Sequence, residues 1–284
     1  MSFIKNHILY WILPSNILKH FVSIDERAAE AVSKRNYKTI KITWQVAAVG
    51  CFCLLLYEYG RNYYFYKDFI LFIDSNFFAG LKSILYSNHK YCDLYYFLWN
   101  FIFCIIFYLL VPVLTVKLIL KHSLRDYGLS FGLLRQHWGI YALFALGLVA
   151  MVVVCNVFLV NQLGSGFIDM YPFYKDASRS WFDFIVWELG YMFQFFCLEF
   201  FFRGFLLKGL SWRFGHLAVP VVCFPYMMIH FQKLFLESLG SVFFGLILGI
   251  LALRTRSILG GFFLHVSLAL SMDLVAMGMT TGFP

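Results

Sequence analysis

Runs of about twenty residues with hardly a charge among them follow one another along this chain, and a helix of that length crosses the ~30 Å hydrocarbon core of a bilayer. Residues 95–120, 137–160 and 258–278 are three of them. In hydrocarbon every backbone N–H and C=O must find its partner inside the protein, so such runs become helices. The 284 residues are 61% hydrophobic, 21% aromatic and only 13% charged, with a mean hydropathy of +0.74. A soluble domain of this length has no core large enough to hide that much apolar surface. The expected fold is all-α, a polytopic transmembrane helical bundle of about seven spans.

The net charge of +8 points to the membrane rather than to nucleic acid, because the cations sit in the N-terminal arm and between the apolar runs. Lys5, Lys19, Arg27, Lys34, Arg35, Lys38 and Lys41 alternate with apolar residues, as in a segment lying on an anionic leaflet. No small-residue cleavage site follows a short apolar core there, so no signal peptide is expected. Spans are expected at residues 42–59, 95–120, 137–160, 181–207, 217–236, 239–253 and 258–278. Residues 61–94 read as an external loop with partly interfacial helices. With the N-terminus inside, Arg125, Arg135, Lys208, Arg213, Arg254 and Arg256 all fall on the cytoplasmic face, as the positive-inside rule requires. Three regions follow: a basic interfacial arm over 1–42, scaffold spans and loops over 43–180, and a core over 181–280 that carries the chemistry. The seven cysteines show no paired zinc spacing and read as packing residues.

An ionisable side chain inside a span costs at least ~2.5 kcal/mol and marks function by default. Glu199 and Arg203 lie four residues apart in the run Cys197-Leu198-Glu199-Phe200-Phe201-Phe202-Arg203-Gly204, on one helix face, where each lowers the other's burial cost. His230 follows in Tyr226-Met227-Met228-Ile229-His230, and His265 in Gly260-Gly261-Phe262-Phe263-Leu264-His265. Taken singly, each is as well explained by packing. Together, a Glu and two His on three spans supply a general base and an electrophile, or the ligands of a zinc ion. Asp273 lies eight residues after His265, and Glu188 eleven before Glu199, nearer the membrane surface.

At these residues the chain resembles the CAAX-protease-and-bacteriocin-processing (CPBP, or Abi) family of intramembrane proteases, over roughly residues 181–273. The family's Glu-Glu-x-x-x-Arg pattern reads here Leu198-Glu199-Phe200-Phe201-Phe202-Arg203, its aromatic-x-x-x-His pattern Tyr226 to His230, and its His-x-x-x-Asn or Asp pattern His265 to Ala269. Two positions depart: Leu198 stands where the first Glu would be and Ala269 where the Asn would be. The resemblance implies an intramembrane endopeptidase acting on a membrane-associated peptide or protein. In it Glu199 and His230 activate water, His265 stabilises the oxyanion, Arg203 holds Glu199, and Asp273 replaces the lost amide. A zinc ion held by Glu199, His230 and His265 is the competing version. The resemblance also implies a bacterial cytoplasmic membrane, with the N-terminus cytoplasmic. A catalytically silent relative that binds a peptide or partner remains the alternative, and a small transporter with a Glu199–Arg203 proton relay a third, disfavoured by the lack of paired inverted segments.

Overall fold

The structure, a computed structural model, describes residues 14–34, 36–86, 89–132, 134–155, 166–280 and 282–284. Lys5, Arg35, the end of the expected span at 137–160 and the start of the loop after it lie outside these residues. All regular structure among the described residues is helical. Five helices are long and apolar enough to cross a membrane: Tyr37–Gly60, Cys92–Ile119, Trp181–Met228, Phe235–Thr255 and Leu259–Met279, with a shorter apolar helix at Trp138–Val153. Large apolar side chains on them face outward, Trp44 at 73% exposure and Trp138 at 69% among them, as lipid-facing surfaces do. This is an integral membrane protein of all-α, polytopic architecture.

In chain order the helices are α1 (Pro14–Ser33), α2 (Tyr37–Gly60), α3 (Tyr63–Asn76), α4 (Leu81–Leu85), α5 (Cys92–Cys104, continued as π and α turns to Ile119), α6 (Leu134–Val153), α7 (Gly166–Met170), α8 (Trp181–Glu199), a π-helical segment (Phe200–Leu206), α9 (Leu207–Phe214), α10 (Ala218–Met228), α11 (Phe235–Thr255) and α12 (Leu259–Met279). By packing they form two compact units: residues 1–50, 113–144 and 199–263, and residues 51–112, 145–198 and 264–284. The sequence-based expectation of a full span at 217–236 is corrected here. The helix stops at Met228 after 11 residues, about 16 Å of rise and too short to cross a bilayer. The chain leaves it in a tight turn, with Ile229 N donating to Pro225 O and His230 N to Met227 O.

In the first unit, missing side chains set how closely helices approach. A Cβ on Gly209 would come within 2.7 Å of Val46, one on Gly245 within 2.8 Å of Tyr226, and one on Gly249 within 2.8 Å of Val219. The last two let α10 lie flat on α11, the small-residue contact that substitutes for hydrophobic driving force in lipid. The amphipathic α1 is tied to the end of α9 by Asp25, which accepts from His216 N at 2.9 Å and meets His216 Nδ1 at 2.7 Å, while Phe21 stacks on the same imidazole. In the second unit, Asn62 caps α3 by accepting from Tyr64 N. Trp99 donates to Gly60 O at 2.8 Å, and Gly190 on α8 leaves the space that Phe101 fills.

Candidate active site

The start of α8 is fixed by Ser180, whose hydroxyl accepts from Asp183 N at 3.2 Å and donates back to the Asp183 carboxylate, a reciprocal cap. Arg179 and Tyr174 hold the same carboxylate. From there the helix runs regularly to Glu199, where it changes character. Phe200–Leu206 is π-helical, and all seven of its residues are buried. Such widened turns are rare and gather at functional sites. No propensity in Phe-Phe-Phe-Arg-Gly-Phe-Leu announces one, so this feature is absent from the sequence-based expectations.

The turn carries the ion pair read from the sequence. Arg203 Nη1 lies 3.4 Å from Glu199 Oε1, with side-chain exposures of 2% and 0%. The guanidinium carbon also stands 3.9 Å from the centroid of the Tyr226 ring. A planar, delocalised cation suits that face. Phe202 abuts Tyr226 edge-on at 5.4 Å, and the Tyr226 ring lies 4.9 Å from that of His230. Glu199, Arg203, Tyr226 and His230 thus form one chain of contacts inside the first unit.

His230 sits in the turn after α10 rather than inside a span, which corrects the expectation that placed it beyond the middle of one. Its Nδ1 is 2.9 Å from the Tyr226 carbonyl. A carbonyl only accepts, so Nδ1 carries the proton and Nε2 is the basic nitrogen. Ser238, at the start of α11, donates to the His230 carbonyl at 2.5 Å, and Lys233 N donates to it at 3.0 Å. Lys233 is itself paired with Glu237.

Two further features bear on Glu199. A Cβ added to Gly261 would lie 2.5 Å from its Oε2, so only glycine leaves this carboxylate its place. Gly261→Ala is expected to destabilise the protein by ~1–3 kcal/mol, the usual cost of overpacking, read from thermal melts of the purified variant. Beside the ion pair, Arg203, Cys223, Tyr226, Gly245 and others line a cavity of about 10 Å³, room for roughly one water. Apart from the ion pair with Glu199, neither Nη of Arg203 has a hydrogen-bond partner among the described residues. Among the described residues, no three His, Cys, Asp or Glu stand together in a way that would hold a metal ion. Glu199 Oε1 already faces a guanidinium, so the donor set named for zinc does not fit the residues as they stand.

The second unit holds the remaining positions. His265, 5% exposed, stacks on Phe195 with ring centroids 4.5 Å apart and planes 25° from parallel. Asp273 is fully buried and accepts from Trp187 Nε1 at 2.8 Å. Leu198 and Ala269 are buried at 7% and 6% exposure, apolar where the resembling family is polar. Glu188, expected near the membrane surface, is only 3% exposed, and neither of its carboxylate oxygens has a hydrogen-bond partner among the described residues.

Residues 180–271 match the family model described as type II CAAX prenyl endopeptidase Rce1-like. No curated protein and no solved structure matched the chain. The matched stretch begins at the Ser180 cap and contains the ion pair, His230, Gly261 and His265. Over this third of its length the chain is similar to that family of prenyl endopeptidases.

Proposed function

We propose that this chain, with its Rce1-like region at residues 180–271, is an endopeptidase that hydrolyses a peptide bond in a membrane-associated peptide or protein. The observation that carries the reading is the buried run of contacts from Glu199 through Arg203 and Tyr226 to His230. It gives a buried carboxylate its counter-charge and holds an imidazole in one orientation, at the end of a run of apolar helix where a lone charge is costly.

In the reaction, Glu199 and His230 Nε2 take a proton from water, and the resulting hydroxide adds to the scissile carbonyl. His265 donates to the oxyanion that forms. The tetrahedral intermediate collapses, the C–N bond breaks, and the proton taken from water passes to the departing amine. Arg203 holds Glu199 by charge and leaves the hydrolytic step to it. The substrate is a peptide held at the bilayer, in a bacterial cytoplasmic membrane with the protein's N-terminus on the cytoplasmic side.

The test is cleavage of membrane-anchored peptides by the full chain in proteoliposomes, compared with Glu199→Ala and His230→Ala. Undiminished cleavage by both variants sinks the reading. The apolar Leu198 and Ala269 favour a second one, a silent relative that binds a peptide without cutting it. Ala269→Asn separates the two, because it returns an amide donor one turn after His265. An enzyme is expected to gain at least ~10-fold in kcat, given that one oxyanion donor is worth 10²–10³, whereas a silent protein gains nothing.

A further inference from the structure

We infer that Asp273 and Phe195 are positioning residues for His265 and act together as a register lock between α8 and α12. This rests on the proposed role of His265. The column Trp187, Tyr191, Phe195 climbs one face of α8 at four-residue steps, with ring centroids 4.9 Å apart for the first pair and 4.8 Å for the second. α12 grips this column at both ends, His265 against the Phe195 ring at 4.5 Å and Asp273 Oδ2 on the Trp187 indole N–H at 2.8 Å.

The two grips match in length. Phe195 is eight residues after Trp187 and Asp273 eight after His265, so on both helices the contacts are ~12 Å apart by helical rise. Both contacts are made only in one antiparallel register. A slip of one residue moves α12 by ~1.5 Å and rotates it by ~100°, which breaks both. The same ~12 Å along an unbroken helix keeps the Asp273 carboxylate out of reach of the His265 imidazole. Asp273 therefore takes no part in the oxyanion site and does not stand in for the missing amide. It fixes the height of α12, and the stack on Phe195 fixes the plane of the ring that donates.

Carboxylate charge is not needed for this role; an acceptor for the indole N–H is. The test uses the full chain in nanodiscs with ¹⁵N,¹³C-histidine, the His265 ring signal being assigned by its loss in His265→Gln. In the wild type that signal is expected upfield of a free imidazole through the ring current of Phe195. It is expected to move back toward the free position in Phe195→Leu and in Asp273→Leu, and to stay in Phe195→Tyr and Asp273→Asn. In the cleavage assay the two leucine variants are expected to lose ~10²-fold in kcat with KM within about threefold, the scale of an ångström's misplacement, and the two conservative variants to stay near wild type. An unmoved signal in both leucine variants overturns the lock. So does an Asp273→Asn as inactive as Asp273→Leu, which would mark Asp273 as a catalytic acid. If the wild type itself cleaves nothing, the protease reading fails while the ring signals still decide the lock.

Discussion

Glu199→Gln is expected to lower cleavage by about 10³-fold while leaving the protein folded, since a positioned general base is worth 10²–10⁴. Glutamine keeps the size of the side chain, so the space left by Gly261 and the packing of the π-helical turn are undisturbed. It loses the ability to take a proton. It also leaves Arg203 with a neutral neighbour, a burden eased by the Tyr226 face 3.9 Å away. The measurement is single-turnover cleavage in proteoliposomes, with a thermal melt run on the same preparation. A variant that melts like the wild type and cleaves within tenfold of it removes Glu199 from the chemistry.

Arg203→Ala is expected to act on stability instead, by about 3–5 kcal/mol, because it leaves a fully buried carboxylate without its counter-charge. Lysine is a poor substitute: its compact ammonium cannot lie flat on the Tyr226 ring. The double variant Glu199→Leu with Arg203→Met separates charge burial from packing. Replacing both members of a buried pair with apolar residues is often neutral or stabilising, so the double variant is expected to melt near or above the wild type, and well above Arg203→Ala, while cleaving nothing. An Arg203→Ala protein with unchanged melting would show that the pair contributes nothing to the fold.

The contrast between these variants reflects what the sequence makes legible. Long apolar runs declare their own helices, and the i, i+4 spacing of Glu199 and Arg203 puts them on one face before any tertiary contact is known. The pairing at 3.4 Å follows from that spacing and from the cost of leaving either charge alone in lipid. The short α10 is a different case. Residues 217–236 are apolar enough to read as one span, and hydropathy is blind to the turn after Met228 and to Ser238, the hydroxyl eight residues on that donates to the His230 carbonyl. Nor can any single-sequence rule assign Asp273 to Trp187, 86 residues before it. The four-residue spacing of Trp187, Tyr191 and Phe195 was a visible signal, though it reads as ordinary core until the histidine stacked at its end is known. The π-helical turn left no trace in composition at all.

The bond from Ser238 to the His230 carbonyl has a consequence for how such chains are recognised. Ser238 lies outside the aromatic-x-x-x-His pattern, yet it helps hold the turn in which that histidine sits. A chain could keep every letter of the pattern, lose this one hydroxyl, and spell the motif without its geometry. The motif letters alone do not report whether the histidine is held as it is here, and the eighth residue after it is one to read beside them.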